Sequence, residues 1–176
     1  MSASVRPAID ADLAGIGKVH VQAWHEAYTG ILPSAGLARL DPARSAAQWR
    51  QVTLSGDTTL SVAQDGPVLL GFGSAQAQRS RLLRSRGFAA EVSSLYLLRA
   101  AQGRGLGRAL MADMARTLAG WGFAGLALWV LADNLPARGF YTHLGGSEVA
   151  RREDVWAGAK IWEIAMGWPD LRILMP

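Results

Sequence analysis

The stretch Gln102-Gly103-Arg104-Gly105-Leu106-Gly107-Arg108 lies between a nearly all-apolar run at residues 89–98 and a segment at residues 103–120 with apolar side chains at helical spacing. The apolar run predicts a strand in the centre of a sheet, and the spacing predicts a helix. Unpaired N–H groups at a helix N-terminus can hold phosphate oxygens, and glycines let a ligand approach closely. The stretch therefore predicts either a phosphate-binding turn or a tight turn whose glycines serve packing alone.

Other motifs for phosphate binding or catalysis do not fit the sequence. No Gly-Lys-Ser/Thr occurs, which excludes a Walker A loop. A dinucleotide fingerprint starting at Gly105 has Leu110 at its third glycine position. No G-x-S-x-G elbow indicates a serine hydrolase, and His20, His25 and His143 lack the spacing of metal ligands, so we expect no metal.

The rest of the chain predicts a mixed α/β protein with a mostly antiparallel sheet and helices on both faces. Asp65-Gly66 predicts a hairpin turn, and Asp10 or Asp12 is expected to cap the first helix, which carries Leu13, Ile16, His20 and Trp24 on one face. No repeat or linker divides the 176 residues, so we expect one domain spanning residues 1–176. The other predicted strands are residues 4–6, 58–64, 68–76, 126–131, 147–152 and 160–166, and the other helices are residues 42–54 and 135–144.

The composition limits the classes of binding partner and the cellular compartment that we expect. The 18 cationic residues outnumber the 14 acidic ones, and all but Lys18 and Lys160 are arginines. This balance fits a nucleic acid, a membrane surface or a phosphorylated cofactor, and composition leaves the three open. The absence of cysteine excludes disulfides and a cysteine nucleophile. No run of about 18 apolar residues predicts a membrane span, and the first residues lack a signal-peptide core, so we expect a cytoplasmic protein.

Three blocks of the sequence resemble the GNAT superfamily of N-acetyltransferases. Gln102-x-x-Gly105-x-Gly107 resembles the Q/R-x-x-G-x-G/A signature, and Glu91-Val-Ser-Ser-Leu-Tyr-Leu97 resembles the central strand that precedes it. Residues 128–145 resemble the second conserved block. The resemblance covers roughly residues 4–166. The sequence departs from the pattern at Arg99, where a proline is common, and at Gly146, where a phenylalanine usually ends the second block.

The resemblance implies transfer of an acetyl group from acetyl-CoA to a primary amine by direct attack in a ternary complex. It also implies that the fourth and fifth strands splay apart around the cofactor. The backbone of Leu95, Tyr96 and Leu97 would pair with the pantetheine arm, and the N–H of Leu97 would polarise the thioester carbonyl. The implied cofactor-binding residues are Leu95, Tyr96, Leu97, Gln102, Gly103, Arg104, Gly105, Leu106, Gly107, Arg108 and Asn134.

Two residues are candidates for the proton transfers that the reaction needs. Glu91 lies eleven residues before Gln102, where several family members carry a general-base glutamate. The alternative is that Glu91 sits at a strand end, solvated or paired with an arginine of the preceding loop. Tyr141 follows Asn134 by seven residues, the family spacing of a general-acid tyrosine, and the alternative is an aromatic side chain that packs helix on sheet.

The acceptor amine is not readable from the sequence. Trp24 and Tyr28 lie where the family often roofs the acceptor site, and Trp129 is expected to line the same cleft; the alternative is aromatic packing between the first helices. Trp156, Trp162 and Trp168 favour a homodimer surface.

The loop from Arg79 to Arg86 places four arginines in eight residues but no aromatics among them, which favours a solvated loop over a nucleic-acid site. Two other functions stay open: an acyl-CoA sensing module without turnover, and a nucleic-acid-binding domain.

Overall fold

Residues 3–175, which the computed structural model describes, contain seven strands in one sheet of order β1-β2-β3-β4-β5-β7-β6. Neighbouring strands are antiparallel except β4 and β5, which are parallel, so the predicted mixed sheet and the central position of β4 are confirmed. The strands are β1 (Ser4–Pro7), β2 (Thr58–Asp65), β3 (Val68–Ala77), β4 (Ala90–Leu97), β5 (Leu126–Leu131), β6 (Ser147–Trp156) and β7 (Ala159–Trp168).

Helices cover both faces of the sheet, as predicted. The helices are α1 (Leu13–Tyr28), α2 (Ser34–Leu37), α3 (Pro42–Ser55), α4 (Arg81–Ser85), α5 (Leu106–Gly120) and α6 (Leu135–His143). One core joins α1 and α3 to the face of β2 and β3 that carries Val62 and Phe72. A larger core joins α5 and α6 to the opposite face, around Met114 and Leu128. Within residues 3–175 no helix is long and apolar enough to cross a bilayer.

The strands β4 and β5 pair only at their first residues. The register joins Ala90 to Leu126 and Glu91 to Ala127, and no further pair follows. Opposite β3, the register skips Ser93, and a bulge of this kind bends a strand. The first three residues of β4 are buried and the remaining five are only half-buried, although β4 is the central strand. A gap therefore opens between β4 and β5 towards their C-terminal ends.

Most element boundaries agree with the sequence prediction, and the differences have local causes. The helix predicted from residue 103 begins at Leu106, because Gly103 and Gly105 have φ angles of 71° and 78°, outside the helical region. Asp12 does not cap α1. Its carboxylate instead binds Arg6 at 2.6 Å and the N–H of Ile9 at 2.8 Å. The short helices α2 and α4 were not predicted.

The prediction that Trp156, Trp162 and Trp168 form one surface near the C-terminus is wrong. Trp168 is fully buried, and its Nε1 donates to the carbonyl of Leu144 at 3.0 Å. A Cβ at Gly146 would lie 2.5 Å from the Trp168 ring, so this ring fills the space that a side chain at residue 146 would need. Trp156 packs on α1, and only Trp162 of the three is exposed.

Two glycines of α1 provide a test of the α1–α3 packing. A Cβ at Gly17 would lie 2.2 Å from the carbonyl oxygen of Pro42, which is backbone that cannot move without shifting α3. A Cβ at Gly15 would meet only the flexible end of Leu69, at 2.8 Å. We expect Gly17→Ala to lower the free energy of unfolding by about 1–3 kcal/mol, measured by urea denaturation. Gly15→Ala is the matched control, since it gains about the same helix propensity and should be near neutral. Equal effects of the two substitutions would contradict the close α1–α3 contact.

Candidate active site

The turn between β4 and α5 presents free backbone donors. The first helical bond of α5 runs from the N–H of Ala109 to the carbonyl of Gly105 at 3.0 Å. The N–H groups of Leu106, Gly107 and Arg108 have no acceptor in residues 3–175, and no side chain caps the helix. Three adjacent donors at the positive end of a 15-residue helix form a site for phosphate oxygens.

The glycines of this turn serve two different purposes. Gly103 and Gly105 have positive φ angles and nothing within 4 Å of a built Cβ, so the backbone conformation requires them. Gly107 instead permits packing, because its Cβ would lie 3.0 Å from the ring of Phe140 and 3.3 Å from Leu97. The packing role, given above as the alternative, is thus observed at Gly107, and phosphate binding at this turn stays a prediction.

The polar side chains of the turn differ in whether they already bind other groups of the protein. Arg104 pairs with Asp65 of the β2–β3 turn at 3.1 Å. Arg108 is exposed, and among the residues that the structure describes no carboxylate pairs with it. The amide of Gln102 donates to the carbonyl of Leu97 at 3.4 Å, which steadies the turn from within.

Arg99 fastens the end of α1 to this turn. Its backbone N–H donates to Oε2 of Glu26 at 2.6 Å, and its Nη2 donates to the carbonyl of Glu26. A proline at residue 99 has neither donor. The departure from the family pattern at this position therefore supplies a contact between the helix that carries Trp24 and Tyr28 and the turn between β4 and α5.

The backbone of β4 divides its hydrogen bonds between β3 and the gap. The N–H of Leu98 bonds to the carbonyl of Leu70 at 2.9 Å, and Tyr96 lies opposite Phe72 in the same register. Because bonding alternates along an antiparallel pair, the N–H and C=O of Tyr96 point to β3. The predicted backbone pairing of Tyr96 with pantetheine is therefore wrong, whereas Leu95 and Leu97 turn their backbone groups towards the gap.

All three tyrosines of the chain meet near the gap. Burial raises the pKa of Tyr28, an effect partly offset by hydrogen bonding to Tyr96 and Asn134. Burial and the nearby Tyr28 raise the pKa of both Tyr96 and Tyr141. The three hydroxyls therefore stay protonated at neutral pH and act as neutral donors.

Tyr141 enters the gap from the α5–α6 face. Its ring is buried and packs edge-on against Trp168, with centroids 6.0 Å apart. No group in the described part of the chain hydrogen-bonds its hydroxyl. Asn134 caps α6 by accepting from the N–H of Ala137 at 3.3 Å, which fixes the helix that carries Tyr141. The structure thus combines the packing role with a hydroxyl left available for another partner.

Glu91 is 6% exposed and lies at the closed end of the gap. Its Oε1 accepts from Nε2 of Gln76 at 2.8 Å and from Nε of Arg79. The ion pair with an arginine of the preceding loop, given above as the alternative, is the arrangement observed. Glu91 alternates with Ala90 and Val92, which face α5, so its carboxylate lies on the α1 face.

The arginine-rich segment is not a free solvated loop. Residues Arg81–Ser85 form α4, capped by Ser80, whose hydroxyl accepts from the N–H of Leu83 at 3.4 Å. Arg79 binds Glu91, Arg84 donates to the carbonyl of Gln78, and Arg86 donates to the carbonyl of Val149. Three of its four guanidinium groups thus bind other groups of the protein, although all four arginines are exposed to solvent.

The α1 face of the gap is lined by aromatic rings. Trp24 packs edge-on against Tyr28 at 4.9 Å and lies 5.7 Å from Trp156, which reaches over from the β6–β7 hairpin. Trp129 of β5 faces the same side, with the guanidinium of Arg152 at 4.2 Å above its ring. Sequence reasoning expected Trp24, Tyr28 and Trp129 here but missed Trp156 and Arg152, because no local pattern connects residues 24 and 156.

Comparisons with known proteins agree with this geometry. The model of the acetyltransferase (GNAT) family matches residues 21–145. A protein of Bacillus subtilis (strain 168), described as the uncharacterised N-acetyltransferase YuaI, is 36% identical over 173 residues, which are 97% of this chain and 95% of that protein.

Solved structures share the fold. The PaiA N-acetyltransferase of Thermoplasma acidophilum in complex with coenzyme A matches with a TM-score of 0.73 and 18% identity over 95% of this chain and 98% of that chain. YncA of Salmonella typhimurium, a putative acetyltransferase with its cofactor acetyl-CoA, matches with a TM-score of 0.72 and 22% identity over 97% and 95% of the two chains.

His20 packs against the aromatic rings of the site, and its protonation makes the stability of this region depend on pH. Its ring stacks on Tyr96 at 5.2 Å, and its Nδ1 accepts from Nε1 of Trp49 at 3.3 Å. Since an indole only donates, the neutral ring carries its proton on Nε2. Burial lowers the pKa of His20 from 6.5 to about 4.

This lowered pKa predicts a loss of stability in mild acid. Between pH 6.5 and about 4 the unfolded chain binds a proton at His20 that the folded chain excludes. The free energy of unfolding should therefore be highest above pH 6.5 and fall by about 3 kcal/mol as the pH drops to 4. His20→Gln should remove this slope in urea titrations across the range, while His143→Gln, at the exposed end of α6, should retain it. An unchanged slope in His20→Gln would contradict the assignment.

Proposed function

Because the chain belongs to the acetyltransferase (GNAT) family, we propose that it moves the acetyl group of acetyl-CoA to a primary amine by direct attack in a ternary complex. The observation that carries this proposal is the gap between β4 and β5, with the backbone of Leu95 and the N–H of Leu97 unpaired along one side and the open N-terminus of α5 at its end. One sheet runs from Ser4 to Trp168, which supports a single domain across residues 1–176.

The residues of the gap are suited to bind the two ends of the donor. The N–H groups of Leu106, Gly107 and Arg108 would hold the pyrophosphate, with Gly103 and Gly105 shaping the turn around it. The Arg108 guanidinium would add a charge-assisted contact at once, and that of Arg104 after leaving Asp65. Gln102 supports the same turn through Leu97.

The backbone of β4 supplies the remaining contacts to the donor. Leu95 and Leu97 would pair with the pantetheine arm as a neighbouring strand would, and the side-chain amide of Asn134 would reach the arm from the start of α6. The N–H of Leu97 would stabilise the oxyanion that develops on the thioester carbonyl. These contacts use donors that the sheet itself leaves unpaired.

The reaction then needs one proton removed and one supplied. The nitrogen of the acceptor attacks the carbonyl carbon from the α1 face, the C–N bond forms and the C–S bond breaks. The proton leaving the nitrogen passes through a chain of water molecules to the carboxylate of Glu91, because Glu91 lies six residues from Leu97 along β4. The hydroxyl of Tyr141 gives its proton to the departing sulfur, and both groups then return to their starting states by exchange with solvent.

Release of coenzyme A tests the proposed function directly. The chain contains no cysteine, so a thiol reagent reads only the free CoA thiol. A panel of primary amines with acetyl-CoA should include at least one that releases CoA in the presence of the protein. Binding of acetyl-CoA, seen as a rise in melting temperature, without release of CoA for any amine would instead support a sensing module.

Tyr141→Phe removes only the hydroxyl proposed as the acid. We expect kcat to fall by about 10²–10⁴-fold, while the Kd of acetyl-CoA, measured by calorimetry, stays the same because the ring and its packing remain. Tyr28→Phe, which removes a neighbouring hydroxyl, is the comparison variant and should have the smaller effect on kcat. A kcat for Tyr141→Phe equal to that of the unaltered enzyme would remove Tyr141 from the mechanism.

Substitutions of the two partners of the buried ion pair, Glu91 and Arg79, distinguish a role of Glu91 as the base from a purely structural role. Glu91→Gln should lower kcat at least about tenfold, because a neutral amide cannot accept the proton. Arg79→Gln breaks the same ion pair but leaves the carboxylate, so its kcat should stay within a few-fold of the unaltered enzyme. Steady-state rates at saturating acetyl-CoA measure both. If the two substitutions lower kcat equally, the ion pair is structural and Glu91 is not the base.

A further inference from the structure

Five aromatic side chains lie on the α1 face of the gap, and the surface they form is called here the acceptor chamber: Trp24, which packs with Tyr28, Tyr96 and Trp156, and Trp129 of β5 on the same side of the sheet. Each of these five side chains is half-buried. The rings that serve only the core are more deeply buried, as Phe72 and Trp168 are, both 0% exposed. The five rings therefore line an open surface rather than fill the interior, and this surface adjoins the gap in which the acetyl group would lie.

The β6–β7 hairpin closes one side of the acceptor chamber. Trp156 lies 5.7 Å from Trp24, and a Cβ at Gly36 would be 2.4 Å from the Trp156 ring. The absence of a side chain at residue 36 thus allows the ring to sit flat against α2. A ring held from two sides in this way is a fixed wall of the acceptor chamber.

The charged groups of the acceptor chamber are engaged with one another. Arg152 donates through Nε to Oε2 of Glu163 at 2.6 Å and covers Trp129, while the more exposed Asp154 lies 3.7 Å from the same guanidinium. At the closed end of the gap, Arg79 pairs with Glu91. Both guanidinium groups thus already face carboxylates, and a carboxylate on the acceptor would have to displace one of these to find a cation.

The rings present carbon to the acceptor chamber. Nε1 of Trp24 is directed to the Tyr96 hydroxyl, and within the described chain Nε1 of Trp129 has no acceptor; both atoms are shielded from solvent. A molecule in the chamber therefore meets ring faces and edges rather than indole donors. Such walls favour a flat apolar group, which can stack or pack edge-on against them.

We propose that the acceptor is a primary amine carried on a ring-sized apolar body without a carboxylate group, and that Trp156 selects for this body. The inference rests on the proposed function, since it names the acceptor class of the same site. The body would lie among Trp24, Trp129 and Trp156, with its nitrogen directed towards the gap. The reaction is the one described above, with the same bonds formed and broken and no additional reactant.

Three amines test separately the two features that the acceptor chamber should recognise, which are the ring and the absence of a carboxylate. 2-Phenylethylamine has the ring and lacks the carboxylate, phenylalanine adds the carboxylate to the same skeleton, and ethylamine lacks the ring. With acetyl-CoA and detection of free CoA, we expect kcat/KM for 2-phenylethylamine to exceed that for each of the other two by at least about tenfold.

A matched pair of tryptophans in one hairpin tests the selector. Trp156→Ala should raise KM for 2-phenylethylamine about tenfold, while KM for acetyl-CoA, which binds in the gap, stays the same. Trp162→Ala is the control, because Trp162 lies in the same hairpin but is 45% exposed and stacks with Arg151 outside the chamber. Trp156→Phe keeps a ring and the fold, and should give an intermediate KM even where Trp156→Ala does not fold.

The outcomes separate the inference from the proposed function. Equal or better use of phenylalanine or ethylamine, or equal KM values in the Trp156 and Trp162 variants, overturns the acceptor class while acetyl transfer stands. Binding of acetyl-CoA without CoA release for any amine overturns the proposed function itself.

Discussion

The constraint on which the rest of the structure depends is the early end of pairing between β4 and β5. A central strand whose N–H and C=O groups lack a neighbour is costly unless another chain or ligand supplies the bonds. Here the cost is concentrated at Leu95 and Leu97, because β3 satisfies the alternate residues of β4. Every other feature of the site is arranged around that opening: α5 begins at one end of it, the Glu91 pair closes the other, and Tyr141 and the aromatic rings approach it from opposite faces.

Two contacts from outside the sheet join the separate walls of the site. Glu26 binds Arg99, which connects the last turns of α1 to the turn between β4 and α5, and Trp156 packs on Trp24, which connects the same helix to the β6–β7 hairpin. The helix α1 therefore contacts both the donor side and the acceptor side. Because the N–H of Arg99 is the donor, a chain with proline at this position must hold α1 by other means.

The local features of the site could be predicted from the sequence, and the long-range ones could not. The glycine turn, the central strand and the spacing of Asn134 and Tyr141 are each encoded within a few residues, where periodicity and turn chemistry are informative. The contact of Trp156 with Trp24 joins residues far apart, and nothing in either segment specifies it. For the same reason the sequence left two interpretations of Glu91 open, since only the fold brings the guanidinium of Arg79 to its carboxylate. The helices α2 and α4, of four and five residues, are too short for a periodic signal.

The proposed roles of Glu91 and Tyr141 place the base and the acid on opposite faces of the sheet. Glu91 faces α1 and the acceptor chamber, whereas Tyr141 belongs to the core under α5 and α6. In that mechanism the proton taken from the nitrogen and the proton given to the sulfur would be exchanged with solvent from different sides of the sheet. Burial, and next to it the nearby Tyr28, raise the pKa of Tyr141, so its hydroxyl would be protonated before the sulfur develops charge. Because Tyr28 belongs to α1, this helix would influence the acid as well as the selection of the acceptor.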